Sequence, residues 1–204
     1  MSTLLIHQPD AEQTVTAQTV FGGRPSAAAS SFVWPQCSSC EGNMQFLGQI
    51  RSSPEELLLL FMCQNEPGGC AEWDADEGAN RVLAVSPDDL QLITPPEEGE
   101  TVLALRYGAQ LVEADLAHYD QARMAWAAEH AALPREVLGQ LGGQPLWLQG
   151  DATPQCDACE QPMQFVAQLE QGPDPDVEMN FGGGCAYVFR CACQKGGAKM
   201  LWQC

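Results

Sequence analysis

Two Cys-x2-Cys pairs, each embedded in a repeated stretch, constrain this chain more than any other feature. Residues 35–50 (PQCSSCEGNMQFLGQI) line up without a gap on residues 154–169 (PQCDACEQPMQFVAQL), and nine of the sixteen positions are identical. Chance at roughly one match in fifteen positions would give about one. A Gly-Gly-x-Pro precedes each copy, at residues 22–25 and 142–145. Each copy then runs into an apolar stretch closing on Phe-x-Cys, at residues 61–63 and 189–191, and a tryptophan follows, Trp73 and Trp202. The same features in the same order predict an internal duplication.

The periodicity gives a coarse outline. Residues 44–50 and 163–169 alternate Met, Phe and a further position on one face, as a half-buried strand requires. Residues 56–62 and 186–191 read as buried strands, and 101–107 as another, on the alternation of Leu103, Leu105 and Tyr107. One helix is predicted, from about 114 to 132, rich in Ala, Leu, Met and Trp, with Leu116, Tyr119, Ala122 and Trp126 as its apolar stripe and Pro134 closing it. Residues 86–89, 94–99, 171–176 and 182–184 carry turn and loop chemistry. The expected fold class is α+β, mainly β, with two similar halves related by a pseudo-two-fold axis. Residues 1–80 form the first repeat, 81–139 an acidic connecting segment with the helix, and 140–204 the second repeat, all within one compact domain.

Ten cysteines stand at 37, 40, 63, 70, 156, 159, 185, 191, 193 and 204. In a Cys-x2-Cys turn the chain bends around an ion with backbone N–H groups aimed at the thiolates; a second pair from a distant hairpin completes a tetrahedron. Cys37, Cys40, Cys63 and Cys70 are the expected ligands in the first half, and Cys156, Cys159, Cys191 and Cys193 in the second. The second half lacks a counterpart of Cys70, because residues 196–198 (GGA) stand where the first half has residues 68–70 (GGC). Cys193 is therefore taken as the fourth ligand, with Cys185 and Cys204 as alternatives and loss of that metal as a further one. Zn2+ is the expected ion, one or two structural ions per chain, and iron on four thiolates remains open. Competing readings are disulfides, a thioredoxin-like redox pair and plain buried thiols. An intracellular chain disfavours the first. Pairs that precede strands rather than sit in a βαβ unit disfavour the second, and paired spacings that recur disfavour the third.

The charge is lopsided, with 27 acidic residues against 9 basic ones and a net charge of −18. Twelve of the acids lie between Glu72 and Asp120, where the basic residues are Arg81 and Arg106. Such a surface repels nucleic-acid phosphates and lipid headgroups and attracts basic proteins. Excess acid also serves solubility alone. Residues 1–10 show neither a basic start nor a long apolar run, so no signal peptide is expected and the compartment expected is cytoplasmic. His7, His118 and His130 have no partner at ligand spacing. There is no nucleophile elbow, phosphate-binding glycine loop or paired metal-binding carboxylates, so no catalytic residues are assigned and no enzyme is expected.

The Gly-Gly-x-Pro, the Cys-x2-Cys-Glu-x2-Met-Gln-Phe-x2-Gln core and residues 187–191 (YVFRC) resemble two related groups. One is the eukaryotic programmed cell death protein 2 family; the other is the bacterial YwqG-like domain of unknown function. The resemblance covers roughly residues 20–73 and 140–204 and is stronger in the second half, where residues 142–148 (GGQPLWL) look like the families' Gly-Gly-x-Pro-x-Trp-Leu. The inserted zinc finger of the eukaryotic members is missing. The resemblance implies a non-enzymatic protein that binds and shields a basic partner, as an immunity protein neutralising a toxin or as a dedicated chaperone. The alternatives are a nucleic-acid-binding zinc-ribbon protein, opposed by the charge, and a thiol redox protein or metal sensor using Cys185 and Cys204.

Overall fold

A computed structural model describes residues 2–9, 11–116, 118–175, 178–193 and 197–204. Among them the strands are β1 (Ser2–Gln8), β2 (Val20–Phe21), β3 (Ser26–Ala27), β4 (Gln45–Ser53), β5 (Glu56–Met62), β6 (Asn80–Val85), β7 (Gln91–Leu92), β8 (Tyr107–Ala114), β9 (Val137–Gly142), β10 (Gln164–Glu170), β11 (Cys185–Arg190) and β12 (Ala198–Gln203). One helix, α1 (Tyr119–Glu129), and a 3-10 turn at Pro134–Glu136 precede β9. The protein is thus mainly β with one helix. No helix among the described residues is long and apolar enough to cross a membrane.

The chain divides into two compact units. The N-terminal unit is Pro9–Gly108 with Gly197–Leu201; the C-terminal unit is Met1–Gln8, Ala109–Gly196 and Trp202–Cys204. Residues 81–139, read from sequence as a connecting segment, carry β6, β7, β8, α1 and the start of β9.

In the N-terminal unit β5 is the central strand. Its run of Leu57–Met62 has every side chain fully buried, which explains why it reads as a continuous apolar stretch rather than an alternation. It pairs antiparallel with β4 on one side (Phe46↔Phe61) and β6 on the other (Leu59↔Leu83). β2 pairs with β4 and with the first residues of β8, and Ala198 pairs with Val82 of β6. Gly22, at φ 68°, follows β2; a Cβ there would sit 1.9 Å from the Leu105 carbonyl oxygen, so only glycine fits. Met44, Phe46, Leu57, Leu59, Phe61 and Ile93 form one core with Cys37, Cys63 and Cys70.

In the C-terminal unit the pairing runs β11–β10–β9–β1, all antiparallel, with β8 next to β1. Helix α1 covers this sheet: Tyr119 and Ala122 pack with Leu4, Ile6, Ala114 and Val137.

Two expectations are corrected. The helix is shorter than residues 114–132: Ala114 ends strand β8, His118 is extended, and Ala131 at φ 51° breaks the helical backbone before Pro134. Leu116 is 42% exposed and does not join the buried stripe; Ala117 lies outside the described residues. The strand expected at 101–107 is displaced to Tyr107–Ala114. Within 101–106 Val102 makes an isolated parallel bridge to Phe46, Leu105 is exposed, and the Arg106 guanidinium turns toward the backbone oxygens of Glu12 and Thr14. Of the other sequence readings, residues 176 and 196 also fall outside the described set.

Candidate metal centres

Each Cys-x2-Cys pair sits in a tight turn whose backbone is tied in the same way. In the first, Glu41 N–H donates to the Cys37 carbonyl at 2.9 Å, Cys37 N–H to Gly42 O at 2.9 Å, and Met44 N–H to Pro35 O at 3.0 Å. In the second, Glu160 N–H donates to Cys156 O at 2.8 Å, Cys156 N–H to Gln161 O at 3.0 Å, and Met163 N–H to Pro154 O at 2.9 Å. The residue after each pair adopts a left-handed conformation, Glu41 at φ 59° and Glu160 at φ 57°. That turn reverses the chain and leaves both thiols on one side of it.

The hairpins that follow also recur. Phe46 lies opposite Phe61, and Phe165 opposite Phe189, with the register slipping immediately afterwards in both, between Phe46 and Gly48 and between Phe165 and Ala167. The paired rings touch at centroid distances of 5.3 Å and 5.9 Å. These hairpins return the chain so that Cys63, just after β5, and Cys191, just after β11, meet the pairs.

The outcome is two groups, Cys37–Cys40–Cys63–Cys70 and Cys156–Cys159–Cys191–Cys193, with all four sulfurs of each within 4.8 Å of one another. Each lies inside one unit. Individual separations are 3.7 Å for Cys40–Cys63, 3.8 Å for Cys156–Cys193, 3.5 Å for Cys159–Cys191 and 3.3 Å for Cys191–Cys193. A tetrahedron of thiolates about 2.3 Å from an ion has edges of about 3.8 Å. A disulfide needs about 2.05 Å, and all ten cysteines are free thiols. Both groups could hold a metal ion.

The fourth sulfur arrives differently in each. Cys70 comes in on a loop fastened by Gly69 N–H to Glu66 O at 2.8 Å, by Ser39 Oγ to Cys70 O at 3.3 Å, and by Gly68 N–H to the Glu72 carboxylate. Cys193 stands two residues beyond Cys191, and its own N–H donates to Cys191 Sγ at 3.3 Å. Asn65 occupies that place in the first group. Its amide Nδ2 lies 3.5 Å from Cys63 Sγ and 3.7 Å from Cys40 Sγ, and donates to Asn43 O at 3.2 Å.

Burial and crowding govern the thiols. Gly42 N–H holds Cys40 below the usual thiol range, whereas burial pushes Cys63 and Cys70 up. In the second group the Ala158 N–H and the Cys191 thiol bring Cys156 down to about 6. Cys191 is drawn down by the Cys193 N–H, but the Cys193 and Cys156 sulfurs outweigh this and push it up to about 12. Sulfurs this close share one negative charge readily and resist a second. A cation in their midst removes that penalty.

The remaining candidates lie elsewhere. Cys185 is buried, donates to Tyr187 OH at 3.2 Å, accepts from Gln168 Nε2 at 3.5 Å, and is pushed up to about 11 by burial. Cys204 is exposed. Neither belongs to a group, so it is Cys193 that the structure gathers with Cys156, Cys159 and Cys191. His7 bonds Glu136 at 2.8 Å, His118 precedes α1, and His130 stacks on Trp126 at 4.5 Å. Sequence reasoning missed Asn65. It also missed a pair of buried glutamines that share a repeat position, Gln49 and Gln168. Gln49 Oε1 accepts from Ser26 N–H at 3.2 Å and Gln168 Oε1 from Leu146 N–H at 2.8 Å, in each case the residue after the Gly-Gly-x-Pro. The identical Gln in both copies was the available signal.

No protein-family model matches the chain. Over 81 residues it is 36% identical to a protein of Salmonella typhimurium (strain LT2) described as "Uncharacterized protein YpfL". The match covers 39% of this chain and 18% of that protein's length.

Proposed function

We propose that each four-cysteine group holds one structural Zn2+, and that the protein is a non-enzymatic, acidic scaffold that binds and shields a basic protein partner. Four thiolates fill a tetrahedral ion and leave no position for water or substrate, so the metal serves folding. Zn2+ accepts this geometry without redox chemistry, which favours it over iron. The recurring turn bonds, the shared register slip and the paired glutamines support descent of both units from one duplicated element.

The observation that carries the partner reading is the uncompensated acidity. The N-terminal unit has fifteen acidic residues and five basic ones. Three of those cations are turned to backbone oxygens: Arg24 to Ile93 O at 3.0 Å, Arg51 to Ala17 O at 3.2 Å, and Arg106 to Thr14 O at 3.0 Å. Glu97, Glu98 and Glu100 are exposed along one stretch, as are Asp88 and Asp89. A surface of one sign steers a partner of the other sign, with a strong dependence on salt. The resemblance to the YwqG-like and programmed cell death protein 2 groups points the same way, toward an immunity or chaperone role. The experiment is affinity capture from the native cell at low salt. A single basic protein should co-purify in stoichiometric amount and be lost with high salt or on reversing Glu97, Glu98 and Glu100 to lysine. Recovery of no basic protein, or recovery of nucleic acid instead, contradicts the proposal.

A further inference from the structure

The C-terminal unit has a cavity of about 420 Å³, lined by none of the cysteines, whose walls include Arg123, Arg135, Glu170, Glu178, Leu133 and Gly183. Two of the chain's nine basic residues therefore line one hollow in a protein of net charge −18. Each arginine is fixed by a carboxylate and a carbonyl. Arg123 pairs with Glu170 at 3.0 Å and donates from Nε to Pro134 O at 3.0 Å; Arg135 Nη2 pairs with Glu178 at 3.4 Å and donates to Gly172 O at 3.3 Å. Glu170 is held from its other oxygen by Tyr119 OH at 2.9 Å, and Glu178 by the Gln171 amide. The four side chains are thus pre-positioned.

Their hydrogen-bonding capacity is unequal. Every carboxylate oxygen already has a donor, whereas a guanidinium carries five N–H groups and these use only some of them: Arg123 bonds through Nε and Nη1 and Arg135 through Nη2, which leaves Arg123 Nη2 and Arg135 Nη1 to spare among the described residues. The surplus is of donors, and a carboxylate is what a planar fork of such donors recognises. The charge of the wall cancels, two cations against two anions, and the protein around it is strongly negative, so a polyanion is repelled at long range. A zwitterion is not. We propose that this cavity binds a ligand of amino-acid type, its carboxylate on Arg123 and Arg135 and its ammonium against the remaining lone pairs of Glu170 and Glu178. The volume suits a small polar molecule with a modest side chain, which would rest on Leu133. This site is independent of the metal and partner readings.

Calorimetric titration of the purified full chain tests it, using a panel of free amino acids, their N-acetyl and C-amide forms, citrate and inorganic phosphate. At least one free amino acid should saturate at a Kd below about 10 mM, and blocking either end should weaken it at least about tenfold. Arg135→Gln should weaken it similarly. Leu133→Trp, which adds bulk to the cavity wall and removes no member of the ion pairs, should also weaken it and keeps the test decisive if the arginine variant does not fold. Saturation by no amino acid, tighter binding of citrate or phosphate, or binding unaffected by Leu133→Trp would overturn the proposal.

Discussion

The side-chain amide of Asn65 points at the sulfur of Cys63, 3.5 Å away, from the place in the chain where the second group has a cysteine. An amide donor at a thiolate lowers the charge on sulfur and orients it for a metal. Asn65→Ala should therefore weaken metal affinity of the first group about tenfold while leaving the second unchanged. The converse exchange is more telling. Cys70→Ser should lose the first metal, and Cys70→Ser combined with Asn65→Cys should regain it, because the new thiol copies the Cys191-x-Cys193 arrangement. Metal per chain in the three variants is the readout.

Cys185 is a buried thiol hydrogen-bonded to Tyr187 and Gln168, and Cys204 is an exposed one. Cys185→Ser and Cys204→Ser should each leave the metal content at the wild-type value. Cys159→Ser, by contrast, should lose the second metal. Zinc displacement by a chromogenic chelator separates these outcomes.

Metal affinity should fall as pH falls, because the free thiols take up protons that the ion must expel. Each group holds one thiol lowered without metal, Cys40 or Cys156, and two pushed up, Cys63 with Cys70 or Cys159 with Cys191, so both must expel protons to bind. Zinc retained after dialysis across pH 4 to 8, measured on the Cys156→Ser and Cys63→Ser single-site proteins, should fall toward the acid end for each group; retention independent of pH would contradict thiolate ligation.

Gln49 and Gln168 are fully buried or nearly so, at 0% and 1% exposed, and each accepts the backbone N–H following a Gly-Gly-x-Pro. Gln168→Ala leaves the Leu146 N–H without that acceptor and should cost about 1–3 kcal/mol. The loss would appear as a lower denaturant midpoint with the metal content intact. A fall in metal content without a stability change would contradict the structural assignment of this glutamine.

The sequence was most legible where local chemistry repeats. The strands at β4, β5, β10 and β11 lie within a residue or a few of the expected positions, because each is an apolar run bounded by a cysteine turn and a polar tip. All eight expected ligands are drawn into the two groups, Cys193 included. Short strands such as β2, β3 and β7 left no pattern, since two residues cannot show a period. Strand β8 was hidden for another reason: its burial alternates poorly, with Gln110 and Leu111 both exposed, and the neighbouring Leu103 and Leu105 mimicked a strand instead. The helix was overextended because Ala-rich sequence on either side has helical propensity, which β8 pairing at Ala114 and the left-handed Ala131 override. Asn65 could not be read as a hydrogen-bond donor to sulfur, because only the folded hairpin brings its amide to Cys63 Sγ and Cys40 Sγ.

Elemental analysis of protein purified without added metal is the most direct test of the proposal that each four-cysteine group holds Zn2+. The account predicts about two zinc ions per chain and ten titratable thiols once the metal is removed under denaturing, non-reducing conditions. A chain that folds cooperatively with no bound metal, or one whose Cys37, Cys40, Cys156 and Cys159 are found in disulfides, would contradict it.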